Sequence, residues 1–257
     1  MELTEQGCQG ASEGQLTVGT LNVGSLTRRC WDVADIMEKK QIDILCVQET
    51  RWKGKQETEI GENFKILNSG ADEKGRSGVA VFLNKVIKEN ILEVERKNCR
   101  IIKIKLCFSG HIVNVISAYA PQVGCSKDVK KRFWEELEEI VSSIKLDERL
   151  IIGGDLNGHI GCNHENISKI HGGHGMGKMN KEGELIVKFA LAFDMAMINT
   201  FFKNKNYTTY SSGGRETQID FLMCRRSHLG EVKNCKIIKG ESVNTQHRLV
   251  TSDFLID

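Results

Sequence analysis

Residues 150–157 read LIIGGDLN: an apolar run that ends in two glycines, a carboxylate and an amide. A run of this kind reads as a buried strand whose tip turns polar. In an extended chain residues i and i+2 face the same side, so Asp155 and Asn157 would present a carboxylate and an amide to one point in space. The glycines before them would let backbone or substrate approach closely. Asp, Asn and Gly also form turns, and taken alone the stretch is more simply a strand-ending turn.

Working outward, apolar runs of the same kind recur on both sides. They are LTVGTLN (16–22), DILCVQE (43–49), FKIL (64–67), GVAVFL (78–83), IIKIKL (101–106) and IVNVISAY (112–119) before it, then AMIN (196–199), QIDFLMC (218–224) and HRLVTSDFLI (247–256) after it. Helical periodicity breaks the series three times: over 25–40, with Ser25 as an N-cap and Leu26, Cys30, Val33 and Ile36 or Met37 on one face; over 129–144; and over 185–193. About ten strands and three helices fit neither a doubly wound sheet nor an eight-fold strand–helix barrel. Two packed, mostly antiparallel sheets with helices outside fit better. Residues 1–15 show no periodicity and read as a disordered lead, and 16–257 as one domain without repeat or linker.

The 257 residues hold 36 Lys and Arg against 34 Asp and Glu, a net charge of +2, so any contact with a polyanion must come from local basic patches. No apolar stretch approaches the roughly 20 residues of a membrane span, and the polar N-terminus lacks a signal-peptide core. The expected protein is intracellular and does not enter a membrane. Nine cysteines without regular spacing, with Cys46, Cys107 and Cys224 inside apolar runs, argue against a disulfide framework.

The informative polar residues stand at the tips of these runs. Glu49 closes an apolar strand, where a carboxylate is costly unless paired or bound to a cation; a basic loop with Arg51, Lys53 and Lys55 follows, so a solvated strand end is the alternative. Asn22 ends the first run. Tyr119 stands beside the single proline, Pro121, and can donate to a phosphate oxygen or cap the core. Asp220 lies inside QIDFLMC and His247 opens the last run; a buried Asp beside a His would fix its tautomer and favour its charged form. Cys162, His164, His171 and His174 are residue types that suit zinc, but their spacing matches no usual ligand pair, and the segment reads as a mobile loop. The glycines of GHGMG lack the pattern of a phosphate-binding loop, so no nucleotide cofactor is expected.

In order, LNVGSL, ILCVQET, SAYAP, GGDLN, TTY, QIDFL and QHR resemble the endonuclease/exonuclease/phosphatase superfamily, the fold of DNase I and the abasic-site endonucleases. Within it, DILCVQETRWKG, NVISAYAPQVG, SGGRETQIDFLMCRR and ESVNTQHRLV look like the endonuclease domain of RTE-type non-LTR retrotransposons and the related craniofacial development protein 2 sequences. The resemblance runs from about Leu16 to Leu255. It implies a four-layer α/β sandwich with the site at one end, and Mg²⁺- or Mn²⁺-dependent cleavage of a DNA phosphodiester that nicks one strand and leaves a 3′-hydroxyl. It also implies a nuclear protein.

By the same resemblance Glu49 and Asn22 hold or orient the metal, Glu49 as the principal ligand, Asp155 aligns and deprotonates the attacking water and Asn157 positions Asp155 and the phosphate. Tyr119 and His247 stabilise charge on the phosphate, Asp220 orients His247, and Thr209 supports the site. Arg51, Lys53, Arg76, Lys178, Arg215 and Arg248 are expected near the mouth as DNA-backbone contacts, and 208–215 resembles the hairpin such endonucleases use to probe DNA shape. Two positions depart from the pattern: Gln246 replaces an Asp before the final His, and Gly24 an Asp after the first Asn. Gln246 brings no charge, which leaves one or two metal ions open. Alternatives with the same fold are an abasic-site repair nuclease, a small-phosphodiester hydrolase, or a degenerate DNA- or protein-binding module. With no reverse transcriptase after Asp257, an isolated domain or a domesticated copy is expected.

Overall fold

The computed structural model describes residues 14–162, 165–240 and 243–256. The expected lead lies outside the described residues as far as residue 13, and Gln15 already belongs to the first strand. In chain order the elements are β1 (Gln15–Asn22), α1 (Cys30–Lys40), β2 (Ile44–Gln48), β3 (Gln56–Ile60), β4 (Phe64–Asn68), β5 (Val79–Asn84), α2 (Lys85–Lys88), β6 (Ile91–Asn98), β7 (Ile101–Phe108) and β8 (His111–Tyr119). There follow α3 (Lys127–Ser142), β9 (Arg149–Asp155), α4 (Lys181–Ala192), β10 (Met195–Met197), β11 (Tyr210–Ser212), β12 (Arg215–Thr217), β13 (Asp220–Arg225), β14 (Val232–Ile238) and β15 (Leu249–Leu255).

One sheet has the order β14-β15-β1-β2-β5-β4-β3 and the other β10-β13-β9-β8-β7-β6, while β11 and β12 form a separate hairpin. Among the described strands only β1–β2 and β8–β9 pair in parallel. Alternation along the central strands divides the apolar side chains into three cores. Leu16, Val18, Ile44, Cys46, Val115, Ile151 and Leu222 meet between the sheets. Val33 and Met37 of α1 cover Leu21, Leu45, Val47 and Phe82 on one outer face. Phe133, Leu137 and Ile140 of α3, with Ile186 and Phe189 of α4, cover Ile116, Ile152 and Phe221 on the other. The result is the expected four-layer α/β sandwich.

The strands that sequence reading misses are mostly edges. β3, with sequence QETEI, and β6, with ILEVERKN, close opposite sheets and carry charges along exposed or half-buried faces, which removes the apolar alternation and blunts an otherwise sticky edge. The helix starts also shift. α1 begins at Cys30 rather than near Ser25, because Leu26 N donates to Thr50 O and ties the preceding turn to the end of β2. α3 starts at Lys127 behind a Ser126 cap, and α4 starts four residues before Leu185, capped by Asn180. None of the described cysteines is in a disulfide, and no described helix is long and apolar enough to cross a membrane.

The paired glycines of β9 serve backbone approach. A Cβ on Gly153 would sit 3.0 Å from Cys46 of the facing sheet, and one on Gly154 would sit 2.2 Å from Ala118 O. These two positions let β9 lie close to β8 and to the opposite layer. Gly153→Val is therefore expected to cost about 1–3 kcal/mol by overpacking, seen as a lower midpoint in denaturant with an unchanged slope.

Candidate active site

The inward-facing columns of the central strands end in polar residues at the same end of the sandwich. On β1 the column of Leu16 and Val18 ends at Asn22; on β8 that of Val113 and Val115 ends at Tyr119; on β9 that of Ile151 ends at Asp155. β13 runs antiparallel to β9 and so contributes its first residue, Asp220. Tyr119, Asp155 and Asp220 are neighbours across the ladder, Tyr119 opposite Asp155 and Asp155 opposite Asp220. Period-two burial thus makes a polar rim wherever the apolar pattern stops.

Glu49 reaches this rim differently. Alternation beyond Gln48 would send it toward α1, with Leu45 and Val47. Its backbone instead adopts φ 56°, and Arg51 follows at φ 55°. Such left-handed conformations cost a non-glycine residue of order 1–3 kcal/mol. Thr50 N bonded to Gly78 O at 3.0 Å and Arg51 N to Ser77 O at 2.9 Å hold them in place. Asn157 is a third case. The strand stops at Asp155, Asn157 takes φ 49°, and its N–H donates to Asp155 Oδ1 at 3.1 Å, so a turn rather than strand alternation brings the carboxylate and amide together. Its side-chain amide donates to Ala120 O at 2.9 Å.

The side chains converge on a cleft of about 660 Å³ lined by Glu49, Arg51, Asp155, Asn157, Gln246 and His247 among others. Asn22 Nδ2, fully buried, donates both to Glu49 Oε1 at 3.1 Å and to Asp155 Oδ2 at 3.0 Å. Its Oδ1 accepts from Gly24 N at 2.9 Å, a contact made at φ 64° of Gly24. Tyr119 donates to the same Glu49 Oε1 at 2.6 Å and accepts from Gln122 Nε2 at 3.2 Å. Arg51 takes the other oxygen, Oε2, at 2.9 Å. Burial pushes the Glu49 carboxyl up, but the hydrogen bonds from Tyr119, Arg51 and Asn22 and the Arg51 charge outweigh it and hold the group below its usual range.

Opposite them, His247 Nδ1 lies 3.2 and 3.1 Å from the two oxygens of Asp220, and Nε2 lies 3.9 Å from Asp155 Oδ2. Burial works against an imidazolium, yet the Asp220 charge and hydrogen bond, with Asp155 and Glu49 behind, raise His247 from 6.5 to about 9. Asp155 is raised to about 7, first by burial and then by the Asp220 charge, against the opposing pull of His247, Asn22 and the Asn157 N–H. Asp155, Asp220 and His247 offer ligand atoms within 4.8 Å of one another, so this buried trio can hold a metal ion. Thr209 Oγ1 accepts from the N–H groups of Ile219 and Asp220, both at 3.0 Å, and fixes the start of β13.

Segment 246–248 runs beside β11 as an added edge: Tyr210 pairs with His247, Ser211 N donates to Gln246 O at 2.8 Å and Arg248 N to Thr209 O at 2.8 Å. The Gln246 side chain donates to Ser212 Oγ at 3.1 Å, and the Tyr210 ring lies 4.7 Å from the imidazole.

The six expected cationic contacts are less concentrated. Arg51 lines the cleft; Lys53, Arg76, Lys178, Arg215 and Arg248 are not among its lining residues. Arg76 pairs with Asp72, and Arg248 is spent on Thr208 O and Glu216. Of the four residues whose types suit zinc but whose spacing does not, His164 lies outside the described residues. His171 is buried, with Gly161 O 3.3 Å from Nε2 and Nδ1 accepting from Gly173 N at 3.0 Å, and no metal-ligand group among the described residues includes Cys162, His171 or His174.

Sequence reading misses Arg29, Gln122, Asn244, Arg100 and Asn199. The first three line the cleft. Arg100 stacks 5.1 Å from the Tyr119 ring centroid, and Asn199 clamps β13 through Asp220 O and Leu222 N. Of these only Gln122 carries a local signal, since it follows the rigid Tyr-Ala-Pro exit.

Over 242 residues the chain is 30% identical to craniofacial development protein 2 of Bos taurus, covering 92% of this chain and 40% of that protein. It spans about two fifths of the length of this relative and of its Tragulus javanicus counterpart. Its fold resembles the endonuclease domain of TRAS1, a telomere-specific non-LTR retrotransposon, with a TM-score of 0.71 at 11% identity over 94% of this chain and 99% of that one. It also resembles an AP endonuclease from Archaeoglobus fulgidus, with a TM-score of 0.69 at 18% identity over 93% and 99%. Residues 19–233 match the Endonuclease/Exonuclease/phosphatase family, and the chain, whose central strands deliver their polar ends into one acidic cleft, belongs to that family.

Proposed function

We propose that this chain is a divalent-metal-dependent DNA endonuclease that hydrolyses one phosphodiester bond and leaves a 3′-hydroxyl. One observation carries the reading: a single amide, Asn22 Nδ2, joins Glu49 to Asp155, while His247, braced by Asp220, approaches Asp155 from the other side. A general base, a cationic donor and a carboxylate for a metal therefore share one cleft. The retrotransposon endonuclease and the AP endonuclease whose folds resemble this one favour DNA as the substrate class.

Glu49 would hold the ion through carboxylate oxygen, and Asn22, whose Nδ2 rather than Oδ1 faces Glu49 and Asp155, would orient that carboxylate. An oxygen ligand, with no cysteine among the described residues that line the cleft, suits a hard cation such as Mg²⁺ or Mn²⁺. When bound, the ion supplies Lewis-acid stabilisation of charge developing on phosphate oxygen. Asp155 takes the proton of the attacking water, a task helped by its raised affinity for protons near neutral pH. Asn157 and Asn22 hold its two oxygens in a fixed orientation. His247, kept charged by Asp220, donates to a non-bridging phosphate oxygen. Tyr119 spends its hydrogen on Glu49 and so serves first as the brace of that carboxylate.

The test is nicking of supercoiled plasmid, with abasic oligonucleotide and small phosphodiesters as comparison substrates. Plasmid nicking is expected with Mg²⁺ or Mn²⁺ and none in EDTA; cleavage unaffected by EDTA would overturn the proposal. Asp155→Asn should slow nicking by roughly 10²–10⁴-fold without lowering the melting temperature. Glu49→Gln should raise the Mg²⁺ concentration needed for half-maximal rate. His247 has a folded pKa of about 9 against 6.5 when unperturbed, so its charge contributes stability fully below pH 6.5 and loses it as pH rises through about 9. Denaturation of the metal-free protein should therefore show the advantage of the wild type over His247→Gln shrinking between pH 7 and 10. An advantage independent of pH would mean that His247 is neutral.

A further inference from the structure

We infer that Arg51 is a built-in counter-ion that occupies the metal-facing edge of Glu49 until a divalent ion displaces it, after which it turns to a substrate phosphate. The inference rests on the proposed metal role of Glu49.

The two oxygens of Glu49 are treated unequally. Oε1 accepts from Asn22 and Tyr119, both largely buried and both anchored on central strands. Among the described residues Oε2 has one partner, the Arg51 guanidinium at 2.9 Å. That partner is the exposed member of the pair, with 52% of its side chain accessible against 15% for Glu49. A guanidinium and a divalent cation cannot both sit on Oε2, because like charges at that separation repel.

The exchange needs little motion. Arg51 N is bonded to Ser77 O and its backbone is fixed at φ 55°, so the main chain stays in place and only the side chain must swing. Exposed ion pairs of this kind are weak enough for a bound metal to outcompete. Arg51 lines the same cleft as Asp155, Asn157 and His247, so a released guanidinium remains over the reacting centre. There its planar fork suits two phosphate oxygens better than an ammonium would. Metal-free protein thus keeps Arg51 from DNA, and metal binding frees it.

The experiment measures Mn²⁺ affinity of the DNA-free protein by titration calorimetry, and affinity for a short duplex in EDTA by fluorescence anisotropy. Wild type, Arg51→Ala, Arg51→Gln, Arg51→Lys and Glu49→Ala are compared. Arg51→Ala and Arg51→Gln should bind Mn²⁺ about two- to fivefold tighter than wild type, with the gain shrinking at high salt, and Arg51→Lys should stay near wild type. In EDTA Arg51→Ala should cost more duplex affinity in a Glu49→Ala background, where Arg51 is free, than in the presence of Glu49, where it is engaged, although both changes remove one positive charge. Unchanged or weaker Mn²⁺ binding by both neutral variants, or an equal loss of duplex affinity in the two backgrounds, overturns the inference. Should Glu49→Ala bind Mn²⁺ as well as wild type does, the metal role of Glu49 itself fails; loss of binding in Glu49→Ala without a gain in the Arg51 variants refutes only the counter-ion role.

Discussion

A buried amide shared by two carboxylates is the constraint on which the site depends. Asn22 can satisfy Glu49 and Asp155 together only because β1 lies in one sheet, β9 in the other, and the layers close to within side-chain reach at that end. Two carboxylates held this close and largely removed from water would otherwise repel and protonate. The amide supplies two N–H donors without bringing a charge of its own. An aspartate at position 22 would add a third negative group, and an alanine would leave both acids without the bridge.

The energetic cost of this arrangement is spread around its edge. Glu49, Arg51 and Asn157 adopt left-handed backbone, and Ser77 does so across from the first two. These residues cluster where strands give way to loops, and backbone hydrogen bonds from loop to loop hold the first two in position. The sheets supply rigidity, and the strained turns supply direction. Charge repulsion between Asp155 and Asp220 is met by a proton on His247, which makes the imidazolium part of the architecture.

Much of this was legible in the amino-acid sequence. The apolar runs around Val18, Cys46, Val115, Ile151 and Leu222 announce two facing sheets, and Asn22, Tyr119, Asp155 and Asp220 stand out because they interrupt those runs at their ends. Alternation failed at Asn157 and cannot account for Glu49, since both positions depend on φ values that no period-two pattern encodes. Edge strands such as β3 and β6 were hidden by the charges that keep them from pairing with other chains. The start of α1 moved because Leu26 is tied to Thr50, a tertiary bond invisible to local capping rules. Arg29, Arg100 and Asn199 act through main-chain oxygens of Val243, Tyr119 and Asp220, all distant in sequence, so no motif points to them.

The short edge formed by residues 246–248 along β11 has a mechanical implication. His247 is not suspended from the sandwich alone; it is stitched into the same ribbon as Tyr210 and Ser211, with Gln246 as a rivet to Ser212. The outer hairpin and the imidazole are thus one hydrogen-bonded unit, with His247 itself paired to Tyr210. A neutral glutamine before the histidine forgoes an anion and gains a fastener, tying the hairpin beyond it to the wall of the cleft.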